Sequence, residues 1–119
     1  MQRRNTITSN PTNIYRNLNV GSTGASIKAS AGYLQHIDVS NNAASPRFVK
    51  FYNKATAPTV GTDTPVITLQ LAASSTLSID YFAGIPFSLG IGIGAVTGVA
   101  DNNTTNTTAN DVVINVYYQ

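Results

Sequence analysis

The sequence predicts an all-β domain: a single β-sandwich, jelly-roll-like, of about eight strands with an extended N-terminal arm. Three observations lead there. Glu is absent and Lys and Gln are scarce, whereas Val, Ile, Thr, Tyr and Phe, which suit a pleated half-buried surface, are plentiful. Charged residues are only 10% of the chain, against roughly 25% in an ordinary globular domain, and neutral polar side chains take their place. Apolar alternation at period two recurs between short clusters of turn residues. The 119 residues are enough for one domain that buries roughly two thirds of its unfolded surface.

The first 24 residues, "MQRRNTITSNPTNIYRNLNVGSTG", are rich in Asn, Thr, Ser and Gly, with few apolar groups. That composition suits an extended arm that orders on a partner, or a tail, or a first edge strand at "NIYRNLNV". Residues 25–119 form the expected sandwich, with strands at Ser26 to Ala29, Tyr33 to Ser40, Arg47 to Tyr52, Val66 to Leu71, Leu77 to Phe82, Phe87 to Thr97 and Asp111 to Tyr118. Turn chemistry separates them at "SAG", "SNNAASP", "AASS" and "DNNTTNTTAN". Ile67, Leu69 and Leu71 should point inward, as should Leu77, Ile79 and Tyr81. The strand at 47–52 has no wet face: Val49 and Phe51 supply one side, and Phe48, Lys50 and Tyr52 the other. That second face either meets a neighbouring subunit, where aromatic residues are enriched, or packs under the loop that follows.

The stretch "YFAGIPFSLGIGIGAVTGVA" carries no charge over about 20 residues, long enough for a membrane helix. Its periodicity argues for a strand instead, because Leu89, Ile91, Ile93 and Ala95 alternate with Gly90, Gly92, Gly94 and Val96, and its flanks are Asp80 and Asp101 rather than Lys or Arg. No membrane span is expected. Gly90, Gly92 and Gly94 on one face let another backbone approach closely or permit a sharp coil in the sheet, and they join Phe48, Lys50 and Tyr52 as the expected subunit interface.

Catalysis finds little support. His36, Asp38 and Ser40 share a strand face, yet alternate strand positions lie about 6.6 Å apart, too far for ordered contacts of about 3 Å. With one His and no Cys, the usual ligand set of a zinc site is missing; no metal or cofactor is expected. The sequons at Asn102, Asn103 and Asn106 have no secretory signal before them, since "MQRRNTITSNPT" leads into no apolar run, so synthesis is expected in a cytoplasm. A pI near 9.1 reflects few charges rather than a basic stripe, so no nucleic-acid partner is expected. The charge is nonetheless uneven: Arg3, Arg4, Arg16 and Lys28 precede the first acid, Asp38.

"RFVKFYNKATAPTVGTDTPV", within "SAGYLQHIDVSNNAASPRFVKFYNKATAPTVGTDTPV", and the later "GIPFSLGIGIGAVTGVADNNTTNTTANDVVINVYY" resemble small β-sandwich virion structural proteins of tailed bacteriophages, over most of residues 25–118. In that group the segment 47–66 recurs, and the members described as head decoration or cement proteins bind the outside of the capsid, usually as trimers. The resemblance implies a homotrimer whose partner is the major capsid protein, located on the virion, with no catalytic residues. Related modules occur in tails, baseplates and fibres, so the alternative is a module that binds host glycan through Tyr33, Tyr52 or Tyr81, or binds another virion protein. The arm lies outside the resemblance. From its residues alone, Arg3, Arg4 and Arg16 are expected to pair with shell carboxylates, while Ile14, Tyr15 and Leu18 fill a groove.

Overall fold

The structure, a computed structural model, describes residues 12–119. The chain forms β1 (Asn13–Asn17), β2 (Ala25–Lys28), β3 (Gly32–Asn41), β4 (Arg47–Asn53), β5 (Ile67–Leu71), β6 (Ser75–Phe87), β7 (Ile91–Val96) and β8 (Val112–Tyr118). All pair antiparallel. The expected strands are there, with two boundaries moved. β6 runs on through Pro86, which an edge strand tolerates because its outward N–H has no partner to lose. The expected strand from Phe87 starts only at Ile91, because Asn53 holds a turn at 88–90: its Oδ1 accepts from the Leu89 amide and its Nδ2 donates to Ser88 Oγ.

Pairing follows one rule. The chain is a long ribbon in which β1 pairs with β8, β2 with β7, β3 with β6 and β4 with β5. The ribbon curls so that β8 also pairs with β3, and β7 with β4. Two four-stranded sheets result, ordered β1-β8-β3-β6 and β2-β7-β4-β5, which is the strand order of a jelly roll.

The core lies between the sheets. Leu34, Ile37, Val39, Val112, Ile114 and Val116 of the first sheet meet Val49, Phe51, Leu71, Ile91, Ile93 and Ala95 of the second. Ile67, Leu69, Leu77 and Tyr81 pack against this cluster as alternation predicts. A register shift between Leu34 and His36 changes the phase of β3, so that Ile37 and Val39 follow Leu34 inward. His36, Asp38 and Ser40 therefore face outward.

The second sheet has an outer apolar layer, which corrects the expected subunit interface. Phe48, Tyr52, Val60 and Val96 form a separate buried cluster beneath the β4–β5 loop, and Lys50 between them is 0% exposed. The glycines explain how the loop lies so close. A Cβ on Gly90 would meet Lys54 O and Ala55 Cα, one on Gly92 would meet Pro58, and one on Gly94 would meet Val60, so alternate residues from just before β7 into it face points progressively further along the loop. Asp63 fastens the loop, accepting from Lys54 Nζ at 2.7 Å and from the Thr59 amide at 2.7 Å. Phe48, Lys50, Tyr52, Gly90, Gly92 and Gly94 are thus covered by their own chain.

The sandwich also begins earlier than residue 25. β1 is in register with β8 from Asn13↔Tyr118 to Asn17↔Ile114. Val20 is buried and its amide donates to Val112 O, and Gly21 O accepts from the Ala95 amide. Residues 13–24 are therefore part of the body, and an edge strand is what "NIYRN" forms. Arg3 and Arg4 lie outside the described residues.

Candidate binding face

The outer face of the β1-β8-β3-β6 sheet gathers most of the accessible polar chemistry that the sequence singled out. Register aligns its side chains in rows across four strands: Ile14, Tyr117, His36 and Asp80 in one, Arg16, Asn115, Asp38 and Ser78 in the next. A third row sets Val113, Ser40 and Thr76 side by side.

At the centre, His36 Nε2 lies 3.0 Å from Asp38 Oδ1. Ser78 Oγ donates to the same carboxylate oxygen at 2.7 Å and lies 3.2 Å from the same ring nitrogen. The imidazole meets Tyr117 edge to face, with centroids 5.3 Å apart at 74°. These neighbours hold the Asp38 carboxyl below the usual carboxylate range: the Ser78 hydroxyl has the largest effect, then the His36 hydrogen bond, against slight burial that opposes them.

The expectation that strand spacing keeps His36 and Asp38 apart is corrected, since the two side chains lean together along the strand. Ser40 does stay out, with its hydroxyl 3.4 Å from Thr76 Oγ1; the serine that joins them, Ser78, comes from β6. The trio does not form the hydrolase relay. That relay needs the carboxylate on one ring nitrogen and the nucleophile on the other, whereas here both converge on Nε2 and the serine gives its proton to the aspartate.

Beside this cluster β6 leaves the sheet. Leu34 pairs with Ile85 and His36 with Asp80, so four residues of β6, Tyr81 to Gly84, stand opposite Gln35 alone. Gly84 has φ +78°, a conformation that glycine adopts without steric cost. The excursion carries Phe82 into solvent, 98% exposed. Gln35, His36, Asp38, Asp80, Phe82 and Tyr117, with Thr12 and Tyr81, line an open cavity of about 430 Å³. Thr12 Oγ1 donates to Gln35 Oε1 at 3.1 Å, and the Asp80 carboxylate makes no hydrogen bond or ion pair with any described residue.

The remaining expected residues separate by exposure. Ile14, Arg16 and Leu18 are exposed along β1 and just beyond it. Tyr15 instead packs against the core, its hydroxyl accepting from Asn17 Nδ2. Of the tyrosines considered as glycan platforms, Tyr52 is buried and Tyr81 faces inward, where burial raises its phenol pKa; Tyr33 is half exposed. Ser78, Asp80, Tyr117 and Phe82 were not read as site residues. One signal for Phe82 was available: with Leu77, Ile79 and Tyr81 inward, Phe82 falls in the outward phase of the strand.

No family model, curated protein or solved structure matches the chain.

Proposed function

We propose that this chain is a virion structural protein of a tailed bacteriophage, made in the host cytoplasm, that binds the outside of the head and stabilises the shell. The observation that carries the proposal is the edge at β1, unpaired among the described residues, where Ile14 is 62% and Leu18 42% exposed on either side of the cationic Arg16. An open strand edge with apolar side chains is a template for docking against another β-rich surface. The jelly roll serves in viral capsid domains, a supporting analogy at the level of fold only. The partner is then the major capsid protein. Trimerisation is supported by the resemblance alone, since the aromatic and glycine face at Phe48, Tyr52 and Gly90 to Gly94 is covered by the chain's own loop. Three linked attachment edges would act together, at an effective concentration on the order of millimolar after the first docks.

A second reading, a tail, baseplate or fibre module, is favoured by the open cavity beside Phe82. Electron microscopy of particles labelled at the C-terminus separates the two. Label over the head supports decoration; label confined to the tail overturns it.

A further inference from the structure

We infer that the cavity between Phe82 and the His36–Asp38–Ser78 cluster is a binding site for a neutral saccharide. This goes beyond attachment to a virion, and it holds whether the chain sits on a head or a tail.

Phe82 is the first reason. Its ring, 98% exposed, stands on a four-residue excursion from an otherwise regular strand. Nothing in the fold is gained by presenting an apolar ring to water, and a pyranose offers such a ring a flat C–H face. The second reason is what lies beside it. Asp80 is a carboxylate without a partner among the described residues, and Asp38 is kept ionised by Ser78 and His36. Gln35 has its carbonyl engaged by Thr12 while its side-chain amide nitrogen makes no hydrogen bond with any described residue, so a donor stands beside two acceptors. Vicinal sugar hydroxyls each donate and accept, and bonds to carboxylates are the stronger kind.

Size and charge narrow the ligand. A cavity of about 430 Å³ falls within the range of small-molecule sites, and its open form suits one or two residues of a longer chain. Two aspartates against one histidine, itself paired with Asp38, make the lining acidic. Sialic and uronic acids would be repelled, which leaves neutral hexoses and N-acetylhexosamines.

The test titrates full-length, nitrogen-15-labelled protein with methyl glycosides of glucose, galactose, mannose and N-acetylglucosamine, and with sialyllactose as the acidic comparison. At least one neutral glycoside should shift the amides of Gln35, His36, Phe82 and Tyr117 and saturate in the millimolar range. Phe82→Ala and Asp80→Asn should each weaken that binding by about ten-fold or more, the size expected for loss of an anchor, with an unchanged melting temperature. No shift at these residues with any neutral probe would overturn the inference, as would binding that survives Phe82→Ala unaltered or sialyllactose binding as well as the best neutral probe. Isolated protein suffices, so this outcome is independent of where the chain sits on a particle.

Discussion

Tyr52 brings a hydroxyl into a place where no described residue answers it. Burial raises the pKa of that phenol, and the charges of Asp63 and Asp101 push the same way. A buried, unsatisfied polar group costs about 1–3 kcal/mol, so Tyr52→Phe should leave stability unchanged or raise it by about 1 kcal/mol; urea unfolding measures this, and a loss of similar size would mean the hydroxyl has a partner. Its neighbour Lys50 is the opposite case, a buried amine whose pKa is lowered by desolvation but whose Nζ donates to Ala100 O. On the other sheet, Asp38 has a pH signature. Its folded pKa is depressed, so the stability it contributes is present above the unfolded value of 3.8 and is lost as pH falls through the lower folded value. Ser78→Ala removes the largest cause, and carbon-13 NMR titration should show the Asp38 carboxyl moving up toward its ordinary range. An unmoved titration would show that the Ser78 hydrogen bond is not what holds it down. The phase of His36, Asp38 and Ser40 was legible from alternation alone. The closure of the cluster was not, because Ser78 reaches it from 40 residues away in sequence, and register across strands leaves no local trace.

At the scale of elements, the glycine strand and the long loop form one device. Side chains are given up at Gly90, just before β7, and at Gly92 and Gly94 within it, so that Ala55, Pro58 and Val60 can lie close, and the loop in turn covers Phe48 and Tyr52. The sequence offered close approach at those glycines beside a sharp coil in the sheet, and packing under the following loop was one of two readings for Phe48 and Tyr52. It could not say whether the approaching chain was the protein's own, since a subunit and a loop demand the same absence of Cβ. Gly90 is the tightest of the three: a Cβ there would stand 2.5 Å from Lys54 O and 2.6 Å from Lys28 O, both backbone atoms that cannot rotate away. Gly90→Ala should therefore destabilise the domain by about 1–3 kcal/mol, in the range of overpacking. Thermal or urea unfolding checks it, and a neutral outcome would mean that the loop is looser than its contacts imply. The "YFAG" excursion of β6 was less legible. Alternation foretells Tyr81 inward, but the four-residue departure opposite Gln35 depends on β3 as partner, which the sequence of β6 does not encode.

At the largest scale, seven of the eight strands among the described residues followed from period two and turn chemistry, and β1 stood among the alternatives for the N-terminal segment. Their order did not follow. β1 pairs with β8 across nearly the full length of the chain, and such pairing is decided by the ribbon as a whole rather than by either strand's residues. The pairing also changes how the attachment surface must be tested. Truncation through residue 18 would strip β1 from β8 and leave a new edge, so point substitutions at exposed side chains are the cleaner probe. Ile14→Ser with Leu18→Ser removes apolar surface that the isolated domain leaves in water, and its melting temperature should match that of the unaltered protein. Arg16 adds an exposed charge, worth only about 0–1 kcal/mol per pair and weakened by salt. The most direct measurement adds each form to undecorated capsids of the encoding phage and determines the fraction retained after sedimentation, at low and at high salt. The unaltered protein should be retained, less so at high salt, and the folded double variant should be released. Equal retention of the two forms, or no retention of either, would contradict the proposed attachment.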